Sequence, residues 1–139
     1  MNMKNELTTY KTLLLFAFVI QLLIDVGGFS EWYYNQYPEE VFASAGYASL
    51  LSFEYSMAAY LLWALLYYLS VIFMLLFSKA AKPVIIACLV LAPVYMSAGG
   101  IYVGTPYESV LGFAGWTSYI FACAMVFWGP KTSAMFANE

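Results

Sequence analysis

The chain contains no histidine and no arginine. Without histidine, imidazole ligation of haem, a histidine zinc site and a Ser-His-Asp triad have no residues to form them. Without arginine, a bidentate clamp on carboxylate or phosphate falls to lysine, a poorer geometric match. Charge of either sign is scarce, 9% of residues against about 25% in ordinary soluble domains. No glycine-rich phosphate loop precedes a helix, and no basic patch suits a nucleic acid. The two cysteines, Cys88 and Cys123, form no CxxC pair. Helical counting puts both about 9 Å from one membrane surface, where a reducing compartment keeps thiols free. They read as small buried apolar residues. The expectation is a chain that is not an enzyme, holds no metal or cofactor and binds no nucleic acid.

What is abundant is apolar: 64% of the 139 residues are hydrophobic. So short a chain has too little polar surface to clothe a water-soluble core. Four apolar segments run from about 12 to 30, 57 to 78, 83 to 103 and 110 to 129. Each is close to the roughly 20 residues that carry a helix across about 30 Å of hydrocarbon. Continuous runs such as "YLLWALLYYLSVIFMLLF" lack the polar–apolar alternation of a spanning β-strand. The predicted fold is an all-α integral membrane protein, a four-transmembrane-helix bundle forming a single membrane domain over residues 1–139.

The lysines orient it. Lys4 and Lys11 precede the first segment, Lys79 and Lys82 lie between the second and third, and Lys131 follows the fourth. In a four-span chain these regions share one side, whereas Glu31, Glu39, Glu40 and Glu108 fall on the other. The positive-inside rule then places both termini in the cytoplasm, in a bacterial inner membrane. The first apolar stretch lacks a small-x-small cleavage pattern and reads as a retained helix.

The two short connections, "SKAAKP" and "GTPYES", are turns. The outer segment 31–56 is longer. It opens with Trp32, Tyr33, Tyr34 and Tyr37, whose amphipathic rings suit headgroup depth and a partner's surface. Pro38, Glu39 and Glu40 read as a helix start. An unbroken helix from there to Ser78 would extend about 60 Å, twice the hydrocarbon thickness. A bend near Gly46 or Ser52 would instead leave a short interfacial helix in the first outer loop.

Asp25 is the conspicuous residue. It lies about 20 Å along the first span, where an acid costs of the order of 2.5–3.5 kcal/mol unless protonated, paired or wet. Phe18, Gln21, Asp25 and Gly28 form one stripe at helical spacing. Depth counting sets Tyr60, Ser97, Thr117 and Ser118 at comparable levels on the other segments. Two readings stand: a carboxylate that handles protons or cations, or an acid at a helix end that Gly27 and Gly28 close, reaching into the interface. Glu54 reads as interfacial.

Small residues supply close-packing positions: Gly28, Gly100 and Gly104, and the stripe Gly115, Ser118 and Ala122. Tyr55, Tyr60, Tyr67 and Tyr68 follow one another along the second segment, and near mid-membrane each hydroxyl needs a partner. Two functions follow. One is a non-catalytic accessory, assembly or protective subunit that binds another membrane protein. In gross design the chain resembles the bacteriocin immunity proteins, an architectural likeness that no motif carries. The other is a small proton- or cation-coupled transporter or channel using Asp25 as a homodimer. That outline is similar to the small multidrug resistance transporters, which have four short helices and an acid in the first. Here the acid is Asp, lies nearer the outer face and is followed by a long outer loop. The expected partners are the lipid bilayer and either a membrane protein or a second copy.

Overall fold

A computed structural model describes residues 3–28, 53–98 and 106–137, and the regular structure among them is entirely helical. Four long helices are followed by a single turn: α1 (Met3–Gly28), α2 (Phe53–Leu75), α3 (Ala81–Ala98), α4 (Pro106–Trp128) and α5 (Thr132–Met135). Three of them contain stretches long and apolar enough to cross a bilayer, at Asn5–Gly27, Ala58–Leu75 and Ser109–Trp128. The apolar stretch of α3, Ala81–Met96, is shorter. The surface is apolar too: Leu23, Leu65, Phe113 and Phe121 are each more than half exposed. A water-facing surface of that kind would aggregate, whereas lipid tails satisfy it. This is the make-up of a membrane protein.

Helix boundaries differ from the apolar limits for identifiable reasons. α1 begins at Met3, well before the apolar edge at Thr12, because its polar first turns have their own burial. Glu6, Tyr10, Leu14 and Ala17 recur at helical spacing on one face and are all buried. α2 starts at Phe53 and ends at Leu75, inside the apolar limit at Ser78. Its end is a two-bond cap: the amide of Phe77 donates to the Met74 carbonyl at 3.3 Å and that of Ser78 to the Phe73 carbonyl at 2.9 Å. This pattern needs a left-handed residue between them, and Phe77 takes that role at φ 52°. For a residue with a Cβ that conformation costs roughly 1–2 kcal/mol. The Phe77 ring is held in place by Tyr10 at 6.0 Å and Phe136 at 5.5 Å between centroids. Ser78 Oγ accepts from the Ala80 amide at 3.3 Å, so the α2–α3 link is a tight turn. Pro83 falls in the first turn of α3 and Pro106 opens α4, positions that lack an intrahelical partner in any case.

The helices pack as two hairpin-like pairs, α1 most extensively with α4 and α2 with α3. Gly115 is what lets α1 and α4 approach. A Cβ there would lie 2.7 Å from Ile20 Cγ2, closer than side chains tolerate. Between the pairs lies one core, built from Tyr10, Leu14 and Ala17 of α1, Tyr67, Val71 and Met74 of α2, Ile85 and Cys88 of α3, and Tyr119, Ala122 and Val126 of α4.

Candidate functional site

The polar stripe of α1 faces α2. Asp25 Oδ1 accepts hydrogen bonds from Gln21 Nε2 at 2.7 Å and from the Tyr60 hydroxyl at 2.7 Å. Asp25 Oδ2 accepts one from the Tyr68 hydroxyl at 2.5 Å. Gln21 stands one helical turn before the acid. Tyr60 and Tyr68 are eight residues apart and so on one face of α2, reaching the same carboxyl group from above and below. Phe18 supports Tyr68 edge-on, with ring centroids 5.9 Å apart. Among the described residues no lysine pairs with this acid. Its oxygens are occupied by neutral donors, which is how a membrane interior satisfies a polar group without a counter-ion.

Behind this clasp lies a continuous aromatic stack. Trp63 sits between Tyr60 and Tyr67 on α2, parallel to Tyr95 of α3 at 6.2 Å and against Trp116 of α4 at 5.9 Å. Tyr67 then meets Tyr119 at 4.8 Å. These offset and tilted contacts are the favourable arrangements of ring quadrupoles. Trp63 Nε1 is buried and meets no hydrogen-bond partner among the described residues. Deeper, Ser70 Oγ donates to the Tyr67 carbonyl at 2.7 Å and lies 2.6 Å from the Tyr119 hydroxyl. A serine hydroxyl has one proton, so Tyr119 is the donor in the second bond. Cys88 and Cys123 are buried in the same core as Tyr119, and both are free.

The second acid of α1 has a different setting. Glu6 Oε1 accepts from the backbone amides of Lys131 at 3.0 Å and Thr132 at 2.9 Å, and from the Thr132 hydroxyl at 3.1 Å. One oxygen therefore ties the start of α1 to the segment after α4. Gly129 makes room for it: a Cβ there would fall 2.6 Å from the Met125 carbonyl and 3.1 Å from Glu6 Oε1. Next to it the Tyr10 hydroxyl donates to the Met74 carbonyl at 2.9 Å. The start of α1, the α2–α3 turn and the C-terminal segment thus meet at one end of the bundle.

Of the residues marked by sequence, the structure brings together Gln21, Asp25 and Tyr60. Thr117 and Ser118 are partly buried on α4 and give Asp25 no hydrogen bond. Gly115 and Ala122 are buried, with Gly115 packed on α1. Gly28 and Glu54 fall at helix ends whose side-chain surroundings are not described, as does Ser97. Trp32, Tyr33, Tyr34, Tyr37, Gly100, Gly104 and the interfacial helix expected upstream of Phe53 lie outside the described residues. Sequence reasoning missed Glu6, Tyr10 and Thr132. The available signal was the buried-face spacing of Glu6, Tyr10, Leu14 and Ala17 continuing upstream of the apolar run. No family model, curated protein or solved structure matches the chain.

Proposed function

We propose that this is a non-catalytic membrane protein that acts by binding another membrane protein, as an accessory, assembly or protective subunit. The observation that supports this most is the use of Asp25. Gln21, Tyr60 and Tyr68 occupy both its oxygens, so the acid serves as an internal clasp between α1 and α2. A bundle closed in this way offers its outer segment 31–56, with Trp32, Tyr33, Tyr34 and Tyr37, to a partner. In this reading the chain is a four-span bundle of a bacterial inner membrane with both termini cytoplasmic and a short interfacial helix in the first outer loop. Lys11, Lys79, Lys82 and Lys131 belong to the end where the start of α1, the α2–α3 turn and the C-terminal segment meet, in keeping with the positive-inside rule.

One observation favours a second reading. An acid that pairs with no lysine among the described residues and is joined to three polar side chains within an apolar span is also what a proton- or cation-coupled transporter would use. Native mass spectrometry of the tagged protein, purified from its host in mild detergent, separates the two. The interaction reading expects a stoichiometric second membrane protein that is lost on Trp32→Ser and Tyr34→Ser and kept in Asp25→Asn. The transporter reading expects a homodimer and proton flux in liposomes that Asp25→Asn abolishes. A monomer with neither property overturns both.

A further inference from the structure

The close backbone contacts of this bundle lie within its two helix pairs, and side chains join one pair to the other. Gly115 brings α1 against α4, and the tight turn at Ser78 holds α2 to α3. Between the pairs the backbones stand further apart. Rings and hydroxyls bridge that space along one seam. We propose that the seam opens at its Asp25 end, the α2–α3 pair swinging as a unit away from the α1–α4 pair about a pivot at Phe77.

Three observations carry the proposal. First, Phe77 sits in a socket built by the other half. The rings of Tyr10 and Phe136 lie 6.0 and 5.5 Å from its own, and the Lys11 ammonium lies over it at 5.9 Å. Beside the socket the Tyr10 hydroxyl holds the Met74 carbonyl at 2.9 Å. Tyr10, Met74 and Phe136 are all buried. Second, the far end is held by one carboxyl group. Among the described residues, the hydrogen bonds that join α1 to α2 there are those of Tyr60 and Tyr68 to Asp25. Both donors are side-chain hydroxyls, free to turn to another acceptor when the helices part. Third, the closed seam leaves a polar group unsatisfied. Trp63, packed across the seam on Trp116 at 5.9 Å, buries an indole N–H that meets no acceptor among the described residues. Such a group penalises the arrangement that buries it, and opening gives it water or a lipid carbonyl. The lever is long. About 30 Å of α2 lies beyond the pivot, so a swing of about 10° parts the outer ends by about 5 Å, a rotation of the size that switching proteins use. The motion rests on neither reading of function given above.

The test uses the full chain in lipid nanodiscs. Nitroxides carried on p-acetylphenylalanine leave Cys88 and Cys123 untouched, and electron–electron resonance reads three separations. One label pair, at Leu23 and Leu62, spans the outer end of the seam. A second, at Leu15 and Leu76, spans the pivot end. A third, at Leu23 and Phe113, lies within the α1–α4 pair. Tyr60→Phe combined with Tyr68→Phe removes the latch without removing a ring. It should lengthen the first separation by about 5 Å and leave the other two unchanged. Exchange of the Trp63 indole proton, followed by NMR and assigned with Trp63→Phe, should quicken about ten-fold, the effect of two interhelical bonds of ordinary membrane strength. The unaltered protein gives a reading that needs no variant to fold. There the Trp63 indole proton should exchange faster than the Val71 amide, because a partial opening frees the first and only global unfolding frees the second. Equal exchange of those two protons, an unchanged first separation in the double variant, or equal lengthening of all three separations would each overturn the proposal.

Discussion

The two acids of α1 are satisfied in opposite ways. Glu6 gathers three donors on a single oxygen, two of them backbone amides, near the polar start of the helix. Asp25 spreads three donors over both oxygens, all of them side chains, near the far end. Backbone amides cannot turn away when their acceptor is lost, and a buried unpaired amide is costly. Tyrosine hydroxyls and a glutamine amide can rotate toward another acceptor or the interface. The Glu6 end is therefore the rigid one and the Asp25 end the adaptable one. Rigidity there is reinforced by the strained Phe77, whose left-handed backbone is held by the rings of Tyr10 and Phe136.

Breaking that contrast should produce its largest effect at Glu6. Glu6→Ala orphans the amides of Lys131 and Thr132 and the Thr132 hydroxyl together. It should release α5, seen as loss of hydrogen-exchange protection at those two amides and as new proteolytic cleavage after Gly129. Glu6→Gln retains a carbonyl oxygen in the same place, and one oxygen is all the site uses. It should leave the protection nearly intact. If Gln proves as damaging as Ala, charge rather than the acceptor holds this end.

At the other end the loss should be smaller and graded. Hydrogen bonds between helices in membranes average about 0.6 kcal/mol and reach about 1.7. Asp25→Ala, which removes two of these and the weaker Gln21 bond within α1, should lower stability by about 2 kcal/mol in a denaturant titration while leaving the exchange of the Thr132 amide unchanged. A spread of the effect to Thr132 would mean that the two ends are coupled through α1 and that the contrast is false.

The contrast also explains what could be read from sequence. Depth counting along the first two apolar segments puts Tyr60 level with Asp25, and the two are joined in the structure. The same counting puts Thr117 and Ser118 there, yet α4 directs them elsewhere. Counting residues gives depth along the membrane normal but not the direction in which a side chain leaves its helix. Tyr68 escaped the count because a tyrosine is long enough to span more than one turn. Glu6 was hidden for a different reason. An acid in a polar N-terminal stretch looks like an ordinary solvated charge, and its partners are amides, which every residue but proline carries. Three of the four expected apolar spans were legible from composition and length, whereas the apolar stretch of α3, Ala81–Met96, is shorter than a span. The start of α1 was not, because tertiary burial rather than hydropathy sets it.

The finest division lies within the Asp25 clasp, and three single substitutions resolve it. Among the described residues Tyr68 is the one donor to Oδ2, so Tyr68→Phe removes that bond and should approach the upper figure of about 1.7 kcal/mol. Tyr60 shares Oδ1 with Gln21, so Tyr60→Phe leaves one donor in place and should cost nearer the average of about 0.6. Gln21→Ala removes a contact within one helix, of a kind that stabilises by about 0.2–0.5 kcal/mol, and should be the smallest. Measured as denaturation midpoints with an unchanged slope, the order should be Tyr68, Tyr60, Gln21. A reversed order would mean that Oδ1 carries the clasp. The α1–α2 contact would then depend on the turn that bears Gln21 rather than on the deeper tyrosine, and the Asp25 end would be nearly as concentrated on one oxygen as the Glu6 end.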